Sequence, residues 1–241
     1  MSISKYNINR KHKVNHEYFD KINSEEKAYW IGFLWADGSL SKTSKRCLEK
    51  NRLAIAQTPK NINQLIMLKK ALNSDSIIKT KTINNNYAKE KSISTLTINS
   101  TYLCKTLEAH GMSKKEIRTD IPKMPKTLIR HFIRGYFDGD GCLSIYEQHV
   151  GKYTIDRQEF SLTGNELLLL KIQSIFEENT NVSKNIQIKN YKRTKKAVSL
   201  RYGGKASVQA IFEYLYKNAT VYNENKYNKF IEFSSKQSKG L

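Results

Sequence analysis

The chain is short of cysteine, proline and acidic residues, and it has no long apolar run. Three cysteines among 241 residues (Cys47, Cys104, Cys142) are odd in number and scattered. They offer neither a disulfide framework nor a paired metal-ligand spacing, and they read as reduced thiols in a cytosol-like compartment. No stretch approaches the ~20 apolar residues that span a bilayer. The segment Met1-Ser2-Ile3-Ser4-Lys5-Tyr6 lacks the apolar core of a signal peptide, so no membrane partner is expected. His110, His131 and His149 have no metal-ligand arrangement, and no activated Ser or Cys nucleophile stands out. Acidic residues number 22 against 42 Lys and Arg, a net charge of +20. A lysine-rich genome explains part of that excess but not a near twofold one; it is the footprint of a polyanion-binding protein. No basic amphipathic helix points to an acidic membrane instead.

What is present is a pair of matching stretches. One reads Trp30-Ile31-Gly32-Phe33-Leu34-Trp35-Ala36-Asp37-Gly38, the other Ile133-Arg134-Gly135-Tyr136-Phe137-Asp138-Gly139-Asp140-Gly141. Each is an apolar helical run with small residues four apart, Gly32 and Ala36 in one, Gly135 and Gly139 in the other. Residues at that spacing share a helix face. Glycine within a helix costs roughly 1 kcal/mol relative to alanine, so a face of small residues needs a reason. Close packing of the two helices supplies it, and it would bring Asp37 and Asp140 side by side. A carboxylate at the negative end of a helix is misplaced, and two such carboxylates repel. A divalent cation reverses both penalties, since hard cations take carboxylate, carbonyl, water and phosphate oxygens. The plainer reading, in which Asp-Gly merely ends each helix, suits one copy better than two.

The order of elements repeats around these stretches. After a basic arm over residues 1–22, Asn23 or Ser24 offers an N-cap, and Glu25 and Glu26 fall in the first turn of a helix running to about Ala36. Strands at 39–46 and 50–58 follow, then an amphipathic helix at 60–72, strands at 75–83 and 91–99, and a helix at 101–110 closed by Gly111. A polar linker bearing Pro122 separates the halves at 113–124. The second half offers a helix at 125–138, strands at 142–148 and 153–163, a helix at 165–178, strands at 185–192 and 196–203, and a helix at 205–217. A short helix near Tyr227–Phe233 lies in the basic tail. Asp37 and Asp140 are 103 positions apart, while Leu103 and Val208 in the closing helices are 105 apart. The pattern is a duplicated αββαββα unit, with subdomains at 23–112 and 125–241.

Each unit would form a four-stranded sheet with helices on one face and polar and basic residues on the other. Candidates for that open face are Arg46, Arg52, Lys79, Lys81, Lys89 and Lys91 in the first copy. In the second they are Gln148, Lys152, Arg157, Gln158, Lys189, Tyr191, Arg193, Lys195 and Arg201. Arg, Lys, Gln and Asn read base edges in the major groove, which admits a β-ribbon. Two basic sheets flanking a helix pair point to a saddle for duplex DNA.

The two stretches resemble the signature of the LAGLIDADG homing endonucleases, in the single-chain form with two motif copies. The resemblance extends from about His16 to Phe230. It implies an α+β fold in which two αββαββα units form a pseudo-two-fold saddle of two four-stranded antiparallel sheets. It implies a monomeric enzyme, of cytoplasm or organellar matrix, that cleaves both strands of long pseudo-palindromic DNA sites. Such enzymes are typically encoded by mobile genetic elements. It also implies Mg²⁺ held by Asp37 and Asp140, with the carbonyls of Ala36 and Gly139 completing the metal shells. Asp138 matches the position of Trp35 and is not assigned to catalysis. A lysine beside each site is implied: Lys115, with Lys114 as rival, and Lys226, which departs from the pattern because Asn225 precedes it instead of arginine. Gln57 matches a polar position that holds water, with Ser161 or Thr163 as its counterpart. The competing reading is a cleavage-deficient relative, a maturase or transcription regulator, that binds DNA or RNA.

Overall fold

The structure is a computed structural model that describes residues 12–44, 49–85, 88–182, 189–190 and 198–237. Its contacts divide the chain into two compact units, one of Met1–Asp20 with Leu40–Thr106, the other of Lys21–Ser39 with Leu107–Leu241. The element order is α1 (Glu25–Asp37), β1 (Gly38–Ser44), β2 (Glu49–Gln57), α2 (Ile62–Ala71), β3 (Lys79–Asn85), β4 (Ala88–Asn99) and α3 (Thr101–Ala109). It continues with α4 (Lys126–Asp140), β5 (Gly141–Val150), β6 (Tyr153–Gly164), α5 (Glu166–Asn179), β7 (Lys189–Asn190), β8 (Val198–Gly203), α6 (Lys205–Tyr216) and α7 (Glu224–Gln237). The αββαββα order therefore occurs twice, and α7 is added at the end.

The first unit holds an antiparallel sheet ordered β1-β2-β4-β3. Leu53 pairs with Ile98 and Ile55 with Leu96; all four are buried. α2 packs on this face, contributing buried Leu65 and Leu68. The opposite face carries exposed Arg52, Lys79 and Lys81, as period-two alternation requires. Residues 12–20 are tied to this unit. The Asn15 amide donates to Leu72 O at 2.8 Å and the Lys13 amide to Asp75 Oδ1 at 2.7 Å, while Tyr102 donates to Asp20 Oδ2 at 2.9 Å.

The second unit holds the antiparallel sheet β5-β6-β8-β7. An aromatic core lies under it. Phe137 of α4 stacks on Phe160 of β6 at 4.5 Å between ring centroids, and Phe212 of α6 stacks on Phe230 of α7 at 4.0 Å. α7 is longer than the expected short helix. The Asn223 side chain starts it by accepting from the amides of Asn225 and Lys226 at 3.0 and 3.3 Å, and Phe230 anchors its middle.

The same unit contains both α1 and α4, crossing face to face. Ser24 caps α1, its Oγ accepting from the Lys27 amide at 3.3 Å. A Cβ added at Gly32 would lie 2.0 Å from the Phe132 carbonyl oxygen, and one at Gly135 would lie 2.0 Å from that of Tyr29. Tyr29 and Phe132 are themselves 103 positions apart, as are Gly32 and Gly135. Each glycine thus receives the other helix's backbone in a reciprocal pair of contacts. One turn on, a Cβ at Gly139 would meet Ala36 Cβ at 2.3 Å. Backbone approach this close is what four-spaced small residues permit, and it offsets their poor helix propensity.

Candidate active site at the paired helix ends

Asp37 is the last residue of α1 and Asp140 the last of α4. The glycines that follow do not end their helices through left-handed backbone. Gly38 and Gly141 have φ of −78° and −85° and lead straight into β1 and β5. What they supply is room. A Cβ at Gly38 would sit 2.6 Å from Leu34 O, and one at Gly141 would sit 2.1 Å from Phe137 Cδ2. The turn chemistry of Asp-Gly is therefore not the reason for the motif.

The helix crossing brings the two acids together. Asp37 Oδ2 lies 3.1 Å from the position of a Cβ on Gly139, the residue before Asp140. Asp140 is largely buried, and its Oδ2 lies 2.5 Å from Lys115 Nζ. Burial pushes the Asp140 carboxyl above the usual carboxylate range, against the pull of Lys115, Lys226 and Arg118. Tyr136 lies near both acids; its hydroxyl donates to the Thr163 carbonyl at 2.8 Å. Burial and the charges of Asp140 and Asp37 raise its pKa.

Two basic side chains brace the helix ends in the same way. Lys226 Nζ donates to the carbonyls of Phe137 (2.5 Å), Asp138 (2.9 Å) and Gly141 (2.6 Å). Arg118 donates to the carbonyls of Leu34 (3.2 Å), Trp35 and Gly38 (2.9 Å). The two carbonyl sets correspond one to one at the 103-residue offset. Each cation also faces the aromatic ring of its own helix end, Lys226 over Phe137 at 4.8 Å and Arg118 over Trp35 at 5.9 Å. A cation at the negative end of a helix is favourable, and here three direct bonds add to it. Sequence reasoning paired Lys226 with Lys115; by contact, the counterpart of Lys226 is Arg118. Lys115 instead begins a single 3-10 turn (Lys115–Ile117) and reaches across to Asp140. Burial draws the Lys226 ammonium below its ordinary value, opposed by the carboxylates of Asp138, Asp37 and Asp140.

Asp138 is fully committed inside the protein. Tyr29 and Tyr216 donate their hydroxyls to it at 2.8 and 2.6 Å, and the Asn223 amide donates at 2.7 Å. Burial raises its pKa despite these bonds and the nearby Lys226. At the other end of the helix pair, buried Arg134 ties α4 to the start of α1. Its guanidinium donates to Glu25 Oε1 at 2.7 Å, to Leu215 O at 2.7 Å and to Val221 O at 3.0 Å. Neither group was assigned a role from the sequence.

The sheet candidates divide by strand phase. Arg157 and Arg201 lie on the open face of the second sheet; Arg157 donates to Gln148 at 2.8 Å, and Arg201 pairs with Glu159 at 3.2 Å. Lys152 is exposed in the β5–β6 turn. Gln158 is a correction: it is buried on the covered face with Phe160 and Leu162. Adjacent strand residues point opposite ways, so Arg157 and Gln158 cannot share a face. Gln57, the position matched by resemblance to a water-holding residue, ends its strand. It closes β2 opposite buried Ser94, in step with Leu53 and Ile55, and the residue on the open face there is Ala56. Ser161 and Thr163 are on the open face of β6, partly exposed. Lys89 and Lys91 fall in β4 and Lys189 in β7, where only the backbone is described. Arg46, Tyr191, Arg193 and Lys195 lie outside the described residues.

Among the described residues, no three His, Cys, Asp or Glu side chains group as a metal cage. A cation at the helix ends would rely on two carboxylates completed by backbone carbonyl, water or phosphate oxygens. That donor set suits Mg²⁺, which keeps several waters and shares substrate phosphates. The ammonium of Lys115 on Asp140 indicates that the spot favours positive charge.

Residues 127–216 match the model of the LAGLIDADG-like domain family. Solved structures of the same fold include the LAGLIDADG homing endonuclease I-SmaMI bound to cleaved DNA, with a TM-score of 0.61 and 14% identity over 91% of this chain and 92% of that one. Another is the LAGLIDADG meganuclease I-AabMI bound to uncleaved DNA, with a TM-score of 0.60 and 11% identity over 88% of this chain and 91% of that one. The chain therefore has the fold of these single-chain LAGLIDADG meganucleases, and residues 127–216 are similar to the LAGLIDADG-like domain. Among curated sequences it is 32% identical over 146 residues to a probable translation initiation factor IF-2 of Methanocaldococcus jannaschii. That match takes in 57% of this chain but only 11% of the other protein's length.

Proposed function

We propose that this protein is a sequence-specific DNA endonuclease of the homing type, acting as a monomer on a long pseudo-palindromic duplex site. The observation that carries the reading is the meeting of Asp37 and Asp140 at the ends of two helices packed backbone to backbone. Two carboxylates brought together repel, and metal-assisted hydrolysis of phosphodiesters is what would use both. Asp37 and Asp140, with the carbonyls of Ala36 and Gly139, would hold Mg²⁺. When bound, the metal polarises the phosphate and supplies hydroxide near neutral pH.

The remaining work falls to the chain itself. Arg118 and Lys226 fix the carbonyls at both helix ends, which keeps the acids in place as charge changes between them. Lys115 pairs with Asp140, and its ammonium would offset charge developing on the phosphate. The net charge of +20 and the basic residues of the two open sheet faces supply phosphate and base-edge contacts. The fold of the DNA-bound meganucleases supports the same partner.

The test is a selection from a randomised duplex library with Mg²⁺. Recovery of one cleaved sequence family, lost in EDTA, is the expected result. Sequence-specific retention of DNA without cutting in Mg²⁺ would mark a binding protein instead, and cutting in EDTA would remove the metal from the mechanism.

A further inference from the structure

Ten large apolar side chains are exposed among the described residues, and four of them share one face of one hairpin. They are Tyr146 (50% exposed), Val150 (45%), Tyr153 (76%) and Ile155 (39%). In the β5–β6 ladder Tyr146 is opposite Arg157, Gln148 opposite Ile155, and Val150 opposite Tyr153. All therefore lie on the open side of the sheet. The covered side of the same ribbon ends differently. Beyond the core its residues are Glu147 opposite Asp156 and His149 opposite Thr154, all exposed. An acidic pair directly across two strands is unfavourable.

The hairpin tip thus inverts the usual arrangement. Its apolar and cationic residues face outward with the open sheet, and its acids face away from it. That segregation matches an anionic surface with apolar points on the open side. Duplex DNA offers this in the major groove, where phosphates line the rims and the thymine C5-methyl is the apolar group presented by the bases.

We infer that the β5–β6 ribbon reads thymine methyl groups in the outer part of one half-site, through Tyr146, Val150 and Ile155. Tyr153 flanks them at the turn, and Arg157 and Lys152 supply phosphate or guanine contacts. This rests on the DNA-binding reading above and deepens it, since it assigns a base preference to named residues.

Binding selection from a randomised duplex library without divalent metal provides the probe. Thymines are expected in a cluster at one end of the selected site. Replacing each by deoxyuridine deletes only the methyl. Each replacement should weaken binding roughly three- to fourfold, the value of one buried carbon. In the triple variant Tyr146→Ser/Val150→Ser/Ile155→Ser the replacements should cost nothing. The substituted positions are exposed, so the melting temperature should be unchanged; Ile155→Ser alone should abolish the penalty at a single position. A selected site that tolerates deoxyuridine throughout, or pays the same penalty in the triple variant, overturns the inference and leaves DNA binding standing. So does a change in oligomeric state of the triple variant with an unchanged site, which would assign the patch to self-association. Selection of no sequence at all overturns the parent reading.

Discussion

Replacing Gly32 by alanine puts the helix crossing to its most direct stability test. In an isolated helix the change gains about 1 kcal/mol of propensity. Here the new Cβ would sit 2.0 Å from the carbonyl oxygen of Phe132 and 2.8 Å from its carbonyl carbon. Neither atom belongs to a side chain that can rotate away. To restore ordinary contact, at 3.4 Å or more, the helices must part by about 1.4 Å, which disturbs the reciprocal contact at Gly135. Overpacking of this kind costs about 3 kcal/mol at the upper end, so the net destabilisation is about 2 kcal/mol. For a chain of this size that lowers the melting temperature by roughly 4–8 °C. Thermal unfolding followed by circular dichroism measures it, with Gly135→Ala expected to match. Gly203→Ala is the control: no atom lies within 4 Å of its Cβ, so its melting temperature should hold or rise slightly. A melting temperature raised by Gly32→Ala would mean that propensity alone governs the position and that the close crossing is absent.

Further outcomes follow from the same contacts. Arg118→Met and Lys226→Met each leave three carbonyls without their cation; each should cost about 3 kcal/mol in denaturant unfolding and reduce cleavage, with Arg118→Lys partly restoring both. Lys115→Ala removes a cation that lowers the Asp140 pKa. That pKa should then rise further, moving the acid limb of the cleavage pH profile to higher pH; an unmoved limb would place Lys115 outside the site. Burial and Arg134 hold the His131 pKa down at about 4. Its contribution to stability is present above the unfolded value of 6.5 and is lost as pH falls from there toward 4, so His131→Asn should flatten the denaturation profile in that window. DNA affinity should fall steeply with salt, as release of counterions from phosphates demands.

Much of this molecule could be read in its sequence. The four-spaced small residues, twice repeated and twice followed by Asp-Gly, are a local signal of a helix crossing. The 103-residue offset extends that signal to both halves. Apolar alternation at Leu53 and Ile55 placed the faces of β2. The failures are of two kinds. Gln158 goes to the open face by residue type, against its strand phase; the phase was available from its neighbour Phe160. Arg118 was not legible, because a linker residue that caps a distant helix end leaves no periodic trace. Asp138 and Arg134 are similar cases. Their partners, Tyr216, Asn223, Glu25 and Val221, come from segments far along the chain.

The central claim is that the two acids at the helix ends form one metal-dependent cleaving site. The direct measurement compares wild type with Asp37→Asn, Asp140→Asn and the double variant on the selected duplex, scoring cleavage in Mg²⁺ alongside binding in EDTA. The account predicts near wild-type binding by all four proteins and double-strand cleavage by the wild type alone. Undiminished cutting by the double variant would contradict it.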